Sequence, residues 1–187
     1  MKNKRMYWLL ALTIGFFAVA LVFANNKTEK TAKPTEHVAE VKMGQHPFFK
    51  ANTASDAVFM NKEGKKVSLS AYENKVIFIN LWATWCPPCI HEMPSLNELY
   101  LKLKDDPNIE FFIVDVDGDI QKAKKFMDKN GYSLPVYAQT AVLPESLASN
   151  AIPTTIIVNK QGEMVVKHTG GADFAHPEMM KFIKGLL

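Results

Sequence analysis

Two apolar runs with a helix-period segment between them restrict the fold of this chain more than any other feature. "KVIFINLW" (75–82) and "IEFFIVDVD" (109–117) contain few polar positions. Strands covered on both faces read this way, whereas a half-exposed strand alternates. Between them Met93, Leu96, Tyr100 and Leu103 recur at helical spacing, which predicts a helix ending near Lys104. Upstream, "AVFM" and "KVSLS" flank the turn "NKEGK" and predict a β-hairpin. Downstream, "DIQKAKKFMDKNG" opens on a capping candidate, Asp119, sets Ile120, Ala123 and Met127 on one face, and stops at Gly131. "TTIIVNKQGEMVVKH" reads as a second hairpin turning at Asn159–Gly162. A last helix is expected from about Pro177, with Met179, Ile183 and Leu187 inward. This order predicts a layered α/β domain with a mixed sheet.

That domain is expected to occupy residues 51–187. Ahead of it, Lys2, Lys4 and Arg5 precede an uncharged run from Met6 to Ala24. A basic start followed by an apolar segment reads as an export signal, with the positive end kept in the cytoplasm. The run approaches the roughly 20 residues that span a bilayer, so residues 1–24 read as an uncleaved inner-membrane anchor. Val22-Phe23-Ala24 also fits a small-residue cleavage site, which would release the domain to the periplasm. Residues 25–50 are rich in Lys, Thr, Glu, Asn and Ala and read as a tether reaching roughly 30 Å. Of 22 Lys and Arg residues three lie in the signal, and the remaining 19 equal the 19 Asp and Glu. A neutral balance gives no support for binding nucleic acid.

The chain has two cysteines, Cys86 and Cys89, three positions apart with Pro87 and Pro88 between them. A structural disulfide here would close a very short loop and gain little from chain entropy. A zinc site needs four ligands, and the five histidines show no H-x₃₋₅-H spacing. Redox chemistry suits the setting better. A buried strand runs into the pair and a helix starts at or just after Cys86. Helix-start N–H groups and the positive end of the helix dipole then favour thiolate at the first sulfur. The prolines are tolerated in a first helical turn but remove N–H donors. Cys89, one turn later and more enclosed, can resolve a mixed disulfide formed by Cys86.

The stretch "FINLWATWCPPCIHEMPSL" resembles the active-site segment of the thioredoxin superfamily. More narrowly it resembles the membrane-anchored, extracytoplasmic ResA/TlpA-like thiol–disulfide oxidoreductases, and the likeness runs from about Phe59 to the C-terminus. The resemblance implies a thioredoxin-like fold: a central mixed β-sheet flanked by helices, with the N-terminal β-hairpin as an extension. It implies that "AIPTT" (151–155) carries a cis-proline, Pro153, facing the cysteines, with the Ile152 backbone open to an extended substrate. "GGA" (170–172) resembles a further substrate-facing loop around Gly171, Trp85 is expected to touch substrate, and Pro94 matches a helix-kink proline.

By spacing alone Glu92, three residues after Cys89, reads as a solvated helix glutamate. The resemblance implies instead a carboxylate beside Cys89 with a raised pKa that exchanges that sulfur's proton. Asn80 stands where cytoplasmic thioredoxins carry a buried aspartate, which leaves the proton-handling duty to Glu92. His91 reads as an exposed helix residue, Trp82 as packing, and Met179–Met180 as core.

The expected activity is reduction of disulfides in exported proteins by Cys86 attack and Cys89 resolution, with apocytochrome c as one candidate substrate. No cofactor is expected beyond the redox-active pair, and no metal. Partners would be the substrates, the inner membrane and a membrane thiol carrier that returns electrons. A disulfide-donating oxidase differs only in potential. A Cu(I) metallochaperone would use the same two sulfurs, but copper-carrying relatives space them one residue wider. Peroxidase relatives carry P-x-x-x-[TS]-x-x-C, where this chain has Ile79 and Ala83.

Overall fold

A computed structural model describes residues 57–187; the expected signal, the expected tether and the first residues of the expected domain lie outside the described residues. Strands β1 (Val58–Asn61) and β2 (Lys66–Ser68) form the predicted hairpin, which closes on Asn61: its side chain accepts from Glu63 N–H and Lys65 N–H. The run "KVSLS" does not stay extended. Ser68 caps a 3-10 turn, Leu69–Tyr72, by accepting from Ser70 N–H. Then come β3 (Val76–Trp82), α1 (Pro87–Leu103), β4 (Ile109–Asp115) and α2 (Ile120–Asn130). They are followed by β5 (Val136–Gln139), β6 (Thr154–Val158), β7 (Met164–Thr169) and α3 (Pro177–Leu186). Among the described residues no helix is long and apolar enough to cross a membrane.

The strands form one seven-stranded sheet in the order β2-β1-β5-β4-β3-β6-β7. β3, β4 and β5 run parallel; β6 and β7 complete one side antiparallel, and the β1–β2 hairpin completes the other. β3 lies between β4 and β6, and all seven of its residues are buried, as its apolar run predicts. β5 was not legible as a strand: it has four residues and directly follows Pro135, too short to show a period.

Side-chain alternation along β3 separates two cores. Val76, Phe78 and Trp82 point to one face, where α1, α2 and α3 bury Met93, Leu96, Ala123, Met127 and Ile183. Ile77, Ile79 and Leu81 point to the other, closed by Leu69 of the 3-10 turn and Leu147 of the long β5–β6 loop. The cap and stop expected of α2 are present: Asp119 accepts from Lys122 N–H, and Gly131 takes the left-handed conformation at φ 69°. Phe78 packs against a tilted Phe111 ring and an edge-on Phe174 ring, with centroids 5.0 and 5.5 Å away. Phe78→Ala is therefore expected to lower unfolding free energy by about 3–5 kcal/mol, read from urea melts.

Candidate active site

The turn from β3 into α1 sets the first cysteine. Cys86 is the N-cap of α1, with Pro87 and Pro88 in its first two positions. Neither proline has an N–H, so Cys89 supplies the first N–H of the helix, and it is directed at Cys86 Sγ from 3.3 Å. The prolines thus thin the donor field at the helix start to one bond, and that bond points at the sulfur. Cys86 and Cys89 are joined in a disulfide, S–S 2.08 Å, and both are buried, Cys89 completely.

Opposite the pair lies the turn into β6. The Ile152–Pro153 peptide bond is cis, and the Ile152 carbonyl oxygen lies 3.8 Å from Cys86 Sγ. Gly170 N–H donates to the Pro153 carbonyl at 2.9 Å, so the 170–172 loop adjoins this turn. Gly171 is exposed; a β-carbon there would stand 3.6 Å from the Pro88 carbonyl oxygen and 3.9 Å from Glu92 Oε2. Cys86, Ile152, Pro153, Gly171 and Glu92 thus meet in one place, from three separate segments.

Trp85 stands at the side. Its ring is 60% exposed, yet its Nε1–H donates to Asp117 Oδ2 at 2.7 Å. Asp117 follows β4 in a loop tied by Val116 N–H to the Trp82 carbonyl and by Asp119 N–H to the buried Asp115. An exposed aromatic held in this way offers apolar surface beside the disulfide at little ordering cost. Trp82 is core, against Phe126. His91 is exposed, and Met179 and Met180 pack against the helix-side core.

Glu92 departs furthest from what its spacing predicts. It is only 2% exposed, on the face of α1 turned to the sheet. Asn80 Nδ2 donates to its Oε1 at 2.8 Å and Ala172 N–H donates to its Oε2 at 3.0 Å. Burial pushes its pKa up to about 7, against the opposing pull of these two bonds. Asn80 Nδ2 also donates to Thr155 Oγ1 at 3.1 Å, in the β3–β6 register that pairs the two residues. A second tie fixes the loop: Phe174 N–H donates to Ser95 Oγ, which donates in turn to the Glu92 carbonyl. Between α1 and this loop an open cleft of about 600 Å³ is lined by Pro88, His91, Glu92, Ser95, Gly171 and Asp173, among others.

In the sequence Asn80 reads only as a replaced aspartate, and nothing local marks Thr155, Ala172 or Ser95. One signal was available: an amide inside an otherwise apolar strand needs a buried partner. Among the described residues no cluster of three or more His, Cys, Asp or Glu side chains could hold a metal ion.

A cysteine pair at a helix N-terminus facing a cis-proline, on a mixed sheet of this order, defines a thioredoxin-like thiol–disulfide oxidoreductase. Residues 49–180 match the family model described as Redoxin, and the chain belongs to that family. It is 33% identical over 133 residues to the thiol-disulfide oxidoreductase ResA of Halalkalibacterium halodurans, covering 70% of this chain and 75% of the relative. It is 32% identical over 173 residues to the ResA of Geobacillus kaustophilus, covering 90% of each. A Bacteroides vulgatus crystal structure superposes with TM-score 0.63 at 30% identity, over 74% of this chain and 97% of that one. StoA of Bacillus subtilis shares the fold, with TM-score 0.56 at 23% identity over 69% of this chain and 98% of StoA. The chain is a ResA/TlpA-like member of the thioredoxin superfamily and an oxidoreductase of thiols and disulfides.

Proposed function

We propose that this chain reduces disulfides of exported proteins on the extracytoplasmic side of a membrane, to which residues 1–24 tie it. Apocytochrome c, with its C-x-x-C-H haem site, is the candidate substrate that the family resemblance brings in. The observation that carries the exchange chemistry in this reading is Glu92, a buried carboxyl group one turn beyond Cys89 with a pKa of about 7. A resolving thiol must lose its proton before it attacks, and an acceptor matched to neutral pH suits that step.

In the cycle, the reduced protein presents Cys86 as thiolate beside the Cys89 N–H. It attacks one sulfur of the substrate disulfide; a mixed disulfide forms and the other substrate sulfur leaves as thiolate. Cys89 then passes its proton to Glu92 and attacks Cys86 Sγ. The Cys86–Cys89 disulfide forms, the second substrate thiolate leaves, and two electrons have passed to the substrate. Trp85, the Ile152 backbone and Gly171 border the place where the substrate chain would lie. A membrane thiol carrier restores the dithiol.

Direction rests on potential, since the same chemistry run backwards donates disulfides. The equilibrium reduction potential of the full chain against a thiol buffer at neutral pH is expected near or below about −250 mV. A value above about −150 mV would make the protein a disulfide donor and overturn the reductase reading.

A further inference from the structure

The Glu92 carboxyl group has a hydrogen-bond donor against each oxygen, Asn80 Nδ2 on Oε1 and Ala172 N–H on Oε2. That arrangement favours the ionised group, because a carboxylate accepts at both oxygens whereas the acid keeps both bonds only with its proton turned away from the two donors. The Ala172 N–H belongs to the backbone and cannot become an acceptor. The Asn80 carboxamide can, because half a revolution exchanges its nitrogen and its oxygen. In the orientation present, Nδ2 serves both Glu92 and Thr155 while Oδ1 is buried without a hydrogen-bond partner. A buried polar atom left in this state calls for an explanation. After the half turn Oδ1 would face the Glu92 oxygen and the Thr155 hydroxyl, both able to donate once Glu92 holds a proton.

We propose that the Asn80 carboxamide turns over with the protonation of Glu92, giving Nδ2 to the carboxylate and Oδ1 to the acid. The proposal rests on Glu92 as the proton partner of Cys89 and makes Asn80 its positioning residue. Each protonation state then meets a complementary group at Oε1, so the proton taken from Cys89 has a bonded resting place between turnovers. The titratable groups around Glu92 are Cys86 and Cys89 at the start of its own helix, His91 and Asp173 along the cleft, and His168 on β7. His168 is in register with Thr155. None of them hydrogen-bonds to the Glu92 carboxyl group, which leaves Asn80 as the side chain that answers its charge.

The test is NMR on the full chain with nitrogen-labelled asparagine and carboxyl-labelled glutamate, titrated through the neutral range. The Asn80 amide resonances should follow the Glu92 carboxyl carbon with the same midpoint. The nuclear Overhauser contact from the Asn80 amide protons to the Thr155 methyl group should weaken on the acid side. In Glu92→Gln, Ala172 N–H holds the glutamine oxygen and turns its amide towards Asn80, so the acid-side state should persist at every pH. Asn80 resonances that stay flat while Glu92 titrates would overturn the turnover alone, leaving the proton on a lone pair facing the cleft. A Glu92 carbon with no transition near neutrality would overturn both this proposal and the role given to Glu92 above.

Discussion

Glu92→Gln is expected to be more stable than the wild-type chain above neutral pH, and at the same pH to resolve mixed disulfides about 100-fold more slowly. Both effects follow from one buried group. The carboxyl pKa rises from 4.5 to about 7 on folding because burial disfavours its charge. Between those values the folded chain holds a proton that the unfolded chain has released, so stability falls as pH rises through this window. The penalty is absent below the unfolded value and complete above about pH 7, where it amounts to about 3 kcal/mol. Glutamine carries no charge and escapes it. Urea melts should therefore show wild type and variant close together near pH 4.5 and separated above pH 7, with the variant higher. Glutamine cannot accept the Cys89 proton, so the rate of resolution should also lose its dependence on pH near 7. Equal stability above neutrality would mean that Glu92 ionises without cost; an unchanged rate would remove it from the proton path.

The second large effect is expected at the cysteines. Cys89→Ser should lose turnover and accumulate a covalent adduct with substrate through Cys86, visible as a mass increase that a reductant reverses. The bond that supports the Cys86 sulfur comes from the backbone N–H of residue 89, so the substitution keeps it while removing the resolving thiol. Cys86→Ser should form no such adduct, since the remaining thiol at Cys89 is fully buried. An adduct that forms as fast in Cys86→Ser as in Cys89→Ser would reverse the assignment of attacking and resolving sulfur.

What could be read in advance divides along physical lines. β3 and β4 are legible because strands buried on both faces are apolar at nearly every position, and α2 because its cap, its face and its glycine stop are all local. β5 is not, since four residues carry too little pattern. The strand expected through Leu69 ends at Ser68, because a serine side chain offers the following N–H a local partner. At the site, the cysteines and their helix start were plain in one short stretch. The surroundings of Glu92 were not: Asn80, Thr155 and Ala172 are brought together by sheet register and by a loop 80 residues further along. Spacing along α1 can place a carboxylate on a face but cannot say what closes over that face.

Pro87 and Pro88 leave α1 one usable N–H at the attacking sulfur, while the carboxyl group that serves the other sulfur hangs from residues outside that turn. The two controls are mechanically separate. For anyone redesigning this scaffold, the dipeptide between the cysteines is a dial for driving force, and the Asn80–Glu92–Ala172 assembly is a dial for speed. Grafting the four-residue motif onto another thioredoxin fold would carry over the first and leave the second behind.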